Sequence, residues 1–207
     1  SHGPITLPSG IQAGDLLLCL FASDGSPDCT PSACWSTVGQ GVYSGQVVGA
    51  VFARTATGGS ADSLTVATSG TEIAAAIVYR ISGASAGDVS GGWSYGNGST
   101  IEAPAHSLAE AAPALWIYFH AGNYTQVTAA APSGYGDLTT AALSVSGCCS
   151  ASSAHRTADV ATESPASAPA SSSNSWVGWT LAIPSNLATA QIEAPGPLGT
   201  PSLHMAV

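Results

Sequence analysis

Gly83-Ala84-Ser85-Ala86-Gly87 has the G-x-S-x-G spacing of a hydrolase nucleophile elbow. That motif works where a strand turns sharply into a helix and so exposes its serine. A strand pattern precedes it here, but Asp88–Gly98 (DVSGGWSYGNG) cannot supply the helix, so Ser85 is expected to be structural. No two of the five histidines, His2, His106, His120, His155 and His204, stand at i+2 or i+4, and there is no CxxC pair, so no metal cage is expected. His120 ends an apolar run beside Asn123 and is expected to be hydrogen-bonded inside the fold. His106 and His155 are expected at polar surface, while His2 and His204 lie in terminal segments that a partner can meet. Glycoside hydrolysis needs two carboxylates facing one cleft, and Glu72, Glu102, Glu110, Glu163 and Glu193 are dispersed. The expectation is no catalytic residue, no cofactor and no enzyme.

The remaining reactive or recognition-capable groups are cysteines and rings. Cys19 sits in an apolar run and is expected in the core, and Cys148–Cys149 are adjacent, a poor arrangement for a bridge. Cys29 and Cys34 lie in a Pro/Ser loop, where they can close a small disulfide. Trp35, Trp93, Tyr95, Tyr124 and Tyr135 fall in stretches that read as loops. Such rings either stack on sugar faces or cap the ends of a fold and enter an oligomer interface, and the second reading is the plainer one. Trp176 and Trp179 are three apart in a strand, so only one is expected in the core, with the other meeting a partner or covering an edge. Arg54 and Arg80 are expected in salt bridges, and Arg156 either in another or between subunits.

The elements that must position these groups have the period of strands. The runs are Asp15–Phe21, Gln46–Arg54, Asp62–Thr68, Glu72–Ser82, Ala114–His120, Thr139–Ser146, Ser152–Val160 and Ser175–Ile183. Ser152–Val160 is polar and is expected at a sheet edge; Ala103–Ala112 can form a helical turn. Asp24-Gly25, Gly58-Gly59, Ser69-Gly70, Asn97-Gly98 and Ser133-Gly134 separate the runs as turns. Eight or so strands with glycine-rich turns predict an all-β, two-sheet antiparallel β-sandwich over residues 1–184. Ser164–Ser175 (SPASAPASSSNS) reads as a flexible low-complexity loop. Residues 185–207 read as an extended Pro-rich arm, expected to be held by a neighbouring subunit. Its candidate anchors are Ile192, Pro195, Pro197, Leu198, Pro201, Leu203, His204 and Met205.

Composition narrows the partners. The 207 residues carry three arginines, no lysine and twelve acidic residues, for a formal charge of −9. Nucleic acid and anionic membrane surfaces both demand clustered Lys and Arg, so neither is expected. The longest apolar run, Leu16–Ala22, is too short for a membrane span and lacks the basic flank of a secretory signal. Ser1 fits removal of an initiator methionine, and a cleaved leader or a tag scar would give the same start.

Leu7–Gly25 (LPSGIQAGDLLLCLFASDG), then Trp35, then the strands Val47–Ala56 and Glu72–Ala84, together resemble a group of tailed-bacteriophage structural proteins. Those chains open with a P-x-G-x-x-x-G-D-L-L-L segment and continue as a jelly-roll-like sandwich. The resemblance covers residues 4–184. It implies a capsid decoration (cement) protein on the outer surface of a virion, made in the bacterial host cytoplasm. Implied partners are the major capsid protein and further copies of the chain, as a dimer or trimer. The rival expectation is a tail, fibre or host-adhesion module that binds surface glycan through the loop aromatics. Neither carries catalytic residues over to this chain.

Overall fold

The computed structural model describes residues 1–25, 28–59, 62–70, 72–142 and 148–184, together with the backbone of 192–193. In chain order the strands are β1 (His2–Ile5), β2 (Leu16–Asp24), β3 (Cys29–Pro31), β4 (Ser36–Tyr43), β5 (Val47–Thr55), β6 (Leu64–Thr68) and β7 (Ala74–Ile81). After a 3-10 turn at Ala86–Asp88 come β8 (Ser90–Ile101), β9 (His106–Ser107), β10 (Pro113–Asn123), β11 (Gly136–Ala142), β12 (Cys149–Asp159), β13 (Thr162–Glu163), β14 (Ala168–Pro184) and β15 (Ile192–Glu193). Two five-stranded sheets, ordered β15-β7-β2-β5-β4 and β11-β12-β10-β14-β8, form the central sandwich. Every strand pair in them is antiparallel, and the predicted all-β sandwich is what the chain forms.

Each main sheet is covered on its outer face as well. The small sheet β1-β6-β3 lies over the first, and the β13-β9 pair lies on the side of the second. Three apolar clusters follow from this layering. Leu16, Leu18, Leu20, Ile77, Tyr79, Phe119 and Trp179 belong to the core between the main sheets. Leu17, Cys19, Phe21, Phe52 and Trp35 pack under the β1-β6-β3 cover. Trp116, Tyr118, Trp176 and Tyr135 form the third cluster, on the outer face of the second sheet. Covering both faces explains why β2 (LLLCLFASD) is apolar without alternation. It also corrects the expectation for the two tryptophans: Trp176 and Trp179 face opposite sides, yet both are buried.

The two main sheets are built by the two halves of the chain with the same connectivity. The order β4-β5-β2-β7 in one corresponds to β11-β12-β10-β14 in the other. Leu17 pairs with Arg54 and Arg80, and Trp116 pairs with Arg156 and Ala182, in matching register. The two outer strands are exchanged. The strand after β7, β8, joins the second half's sheet beside β14, and the strand after β14, β15, joins the first half's sheet beside β7.

Several elements differ from expectation. Cys149–Asp159 is an interior strand between β11 and β10, and not an edge. Its serines and alanines are small enough to be enclosed, with Ser150, Ser152 and Ser153 all fully buried. Most of the low-complexity stretch is the first part of β14. Asp88–Gly98 is largely strand β8, and Ala103–Ala112 forms no helix but contains the short β9. Residues 143–146 of the expected Thr139–Ser146 strand lie outside the described residues.

Buried ion pairs tie the sheets to their covers. Arg54 Nε lies 3.1 Å from Asp62 Oδ1, with the two side chains only 6% and 2% exposed. Burial alone would raise the Asp62 carboxyl, but N–H groups of Thr57, Gly59 and Gly58 and the Thr57 hydroxyl donate to it and hold it below the ordinary aspartate value. Arg156 makes the matching pair with Glu163 at 2.9 Å in the second half, so it acts within the chain. Arg80 pairs with Asp15 at 3.1 Å. Removing one partner of a buried pair strands the other charge. Asp62→Ala is therefore expected to destabilise the protein by about 3–5 kcal/mol, measured by denaturant unfolding.

Candidate functional site

A polar pocket of about 500 Å³ opens between the halves at one end of the sandwich. Asp24, Gly25, Gly45 and Gln46 line it from the first half, and Asn97, Asn123, Tyr124 and Asn174 from the second. Asp24-Gly25 and Asn123-Tyr124 end the corresponding strands β2 and β10. Gly25 and Tyr124 both have left-handed φ, 73° and 55°, so the two chain ends turn alike. Asn123 Oδ1 accepts the Tyr124 N–H at 2.9 Å, which fixes that turn and leaves the Tyr124 ring 50% exposed.

Ser175, fully buried, organises the pocket wall. Its Oγ accepts from Asn97 Nδ2 at 3.2 Å and donates to Gln46 Oε1. Gln46 Nε2 and Asn97 Oδ1 take no part in these two bonds. Burial raises the Asp24 carboxyl, and the Gly25 N–H partly offsets this. Glu72, close to Gly25, is also raised, by burial and then by the charge of Asp24.

An aromatic strip continues from the pocket along β8. Trp93, Tyr95 and Asn97 alternate onto one face of that strand, with Trp93 44% and Tyr95 60% exposed. Trp93 lies 4.7 Å from Trp179, centroid to centroid, and Tyr95 lies 5.6 Å from Tyr43. Tyr43 ends β4 immediately before the Gly45-Gln46 turn, so strip and pocket adjoin.

Of the five rings expected in loops, the structure brings three to this region. Trp93 and Tyr95 come on a strand, and Tyr124 on a turn. Trp35 and Tyr135 are buried instead, at 7% and 8% exposure, and offer no surface for stacking. Each enters its cover through a turn whose third residue is left-handed, Cys34 (φ 73°) or Gly134 (φ 83°). Trp35 Nε1 then donates to Ser63 O at 3.0 Å, and the Tyr135 hydroxyl to Glu163 Oε1 at 3.3 Å. The amides Gln46, Asn123 and Asn174 had no signal in the sequence beyond their type, because distant segments bring them together.

The other candidates resolve into structure. Ser85 donates to Asp88 Oδ2 at 2.8 Å and caps the 3-10 turn. His2 is buried and bonds Thr68 at 3.2 Å, and so does not stand out toward a partner. His106 bonds Ser90 at 2.9 Å, and His155 pairs with Asp137 at 3.3 Å. His120 is fully buried, with Nδ1 3.1 Å from Thr128 Oγ1, which also bonds Tyr118 at 3.2 Å. All five cysteines are thiols, so Cys29 and Cys34 are not bridged. Cys29 is buried in the β3 cover while Cys34 faces solvent. Pro195, Pro197, Leu198, Pro201, Leu203, His204 and Met205 lie outside the described residues, and of Ile192 only the backbone is described. Among the described residues no helix is long and apolar enough to cross a membrane, and no group of three or more His, Cys, Asp or Glu is placed to hold a metal ion.

Comparison with protein-family models, with curated proteins and with solved structures finds no match.

Two outcomes follow from these environments. Under native conditions a thiol reagent is expected to modify Cys34 rapidly and the four buried cysteines only on unfolding, as read by mass spectrometry. Burial pushes His120 down to about 3, with Gln126 acting weakly in the other direction. The unfolded chain, with an ordinary histidine near 6.5, therefore takes up a proton that the folded chain refuses. The stability His120 confers is complete above pH 6.5 and is lost as pH falls toward 3, by about 1.4 kcal/mol per pH unit. Denaturant unfolding between pH 6.5 and 5 is expected to show this slope, and His120→Gln to reduce it by one proton's worth.

Proposed function

We propose that this chain is a bacteriophage capsid decoration protein that binds the outside of the shell and bridges and stabilises capsid subunits. In this reading the sandwich is the jelly-roll-like body of such proteins, and residues 185–207 are the adhesive arm. The partners are the major capsid protein and further copies of the chain, in a dimer or trimer. The protein is made in the host cytoplasm and ends on the outer virion surface.

The observation that carries the reading is the position of β15. β14 ends at Pro184, and the backbone of Ile192–Glu193 pairs with β7 on the side away from β2. Strand addition supplies main-chain hydrogen bonds with little dependence on side chains. β8 makes the same kind of addition across the two halves. The same pairing made to a neighbouring subunit would link copies of the chain. A Pro-rich segment suits that role because it is already stiff and loses little entropy on docking. A surface poor in Lys and Glu likewise has few long side chains to immobilise on contact.

Deleting residues 186–207 is expected to abolish binding to purified capsids while leaving the thermal unfolding of the sandwich nearly unchanged. Normal capsid occupancy by the truncated protein would exclude the arm mechanism. Quantitative mass spectrometry of purified particles is expected to find hundreds of copies per particle; a handful would point to the tail.

A further inference from the structure

We infer that the pocket and the β8 aromatic strip together form a binding site for a neutral oligosaccharide, independent of where the protein sits in a particle. The first argument is charge. All three arginines are committed to carboxylates, Arg54 to Asp62, Arg80 to Asp15 and Arg156 to Glu163, and the chain has no lysine. No cation lines the pocket, and its one ionisable carboxylate is that of Asp24. Phosphate, sulfate and sugar acids would meet that carboxylate with nothing to balance them.

The second argument is the hydrogen-bonding inventory. Gln46, Asn97, Asn123 and Asn174 are carboxamides, each able to donate and accept. Sugar hydroxyls also do both, so vicinal hydroxyls can be met by paired amide groups. The lining is set before any ligand arrives, since buried Ser175 holds Gln46 and Asn97 and the Tyr124 N–H holds Asn123. A preset lining spares the entropy of ordering on binding.

The third argument is the rings. Trp93 and Tyr95 share a strand face with Asn97, which places the strip and pocket wall in a line of ~13 Å at the usual rise per residue. That length takes a chain of a few sugar residues, not a single one. The Trp93 ring is held in place, because a Cβ on Gly41 would lie 2.5 Å from its Cδ1 and its centroid is 4.7 Å from that of buried Trp179, while 44% of the residue stays exposed. Tyr95 leans on Tyr43, and half-exposed Tyr124 is among the residues that line the pocket. Flat, exposed rings beside fixed amides suit the alternating C–H faces and hydroxyl edges of pyranoses. An apolar protein partner would leave the amides unpaired, at a cost for each buried group.

The test is a glycan array probed with the full chain, with any hit titrated by calorimetry and tryptophan fluorescence. The array should hold neutral hexoses and N-acetylhexosamine oligomers alongside sialylated and uronic-acid oligomers. The expected result is retention on at least one neutral oligomer and none on the acidic ones. Tyr95→Ala and Asn174→Ala should each weaken binding by about tenfold or more, the loss of one good contact. Tyr95→Phe, which keeps the ring, should bind nearly as the parent does, and near-UV circular dichroism would confirm that the variants fold. Retention on acidic glycans alone, no retention on neutral glycans at millimolar concentration, or a hit unaffected by all these variants would overturn the proposal. Because the site does not include the arm, loss of capsid binding on arm deletion and loss of glycan binding in Tyr95→Ala are separable outcomes.

Discussion

The structure depends on how closely the two main sheets approach, and that is set by where glycine meets tryptophan. The Trp179 ring lies in the core between the sheets and donates Nε1–H to Gly49 O at 3.2 Å. A Cβ on Gly39 would come within 2.8 Å of its Cη2, and one on Gly49 within 3.1 Å of its Nε1. Any larger residue at either position would push β4 or β5 away from β14. Trp93 then stacks on Trp179 over Gly41, so the exposed ring is carried by the buried one. At Trp93 the aromatic strip is therefore continuous with the core packing.

Pairing the halves explains why so few charges suffice. Each half uses one arginine on its third main strand, Arg54 on β5 or Arg156 on β12, to hold an acid in the segment that returns toward the cover. Each half sends one ring, Trp35 or Tyr135, under the cover beside that acid's segment. The halves differ where the interior differs. The first half's outer face, with Leu17, Cys19 and Phe21, is apolar, whereas the second presents Trp116, Tyr118 and His120 with a buried serine and threonine network. Burial of His120 within that layer, not the network's hydrogen bonds, is what holds its imidazole neutral at ordinary pH.

The strongest elements were legible because their side chains are large. DLLLCLF and ALWIYFH have no other reading than buried strands. β8 was hidden because half of its alternation is glycine. Those glycines face tryptophan and leucine: a Cβ on Gly96 would lie 2.5 Å from Trp176, and one on Gly91 2.5 Å from Leu181. The small residues are thus the imprint of large neighbours distant in sequence, which a local pattern cannot display. The same holds for β14, whose Ala/Ser/Pro start looked like a linker, and for β12, whose serines looked like an edge. Trp35 and Tyr135 looked exposed because they follow turn residues; the left-handed turn that folds each inward is a backbone feature. The pocket was the least legible, since its eight residues come from five separate stretches of chain.

The missing lysines pose a final physical problem. Sheet edges are commonly kept from pairing with other chains by charged side chains, lysine above all. Here the edges are β4, β8, β11 and β15, and the chain has no lysine to place on them. Geometry takes over that task. β4 breaks register between Thr37 and Gly39, and β11 does so at the matching place, between Gly136 and Thr139. A bulge twists an edge and interrupts its row of hydrogen-bonding groups. Left-handed Asp137 sits within the second of these irregularities. The outer sides of β7 and β14 are in turn covered by the exchanged strands β15 and β8. The irregularities interrupt indiscriminate pairing along β4 and β11, and β8 is left as an edge of the second sheet. One face of that edge strand carries Trp93, Tyr95 and Asn97, so side-chain chemistry and open backbone lie side by side there.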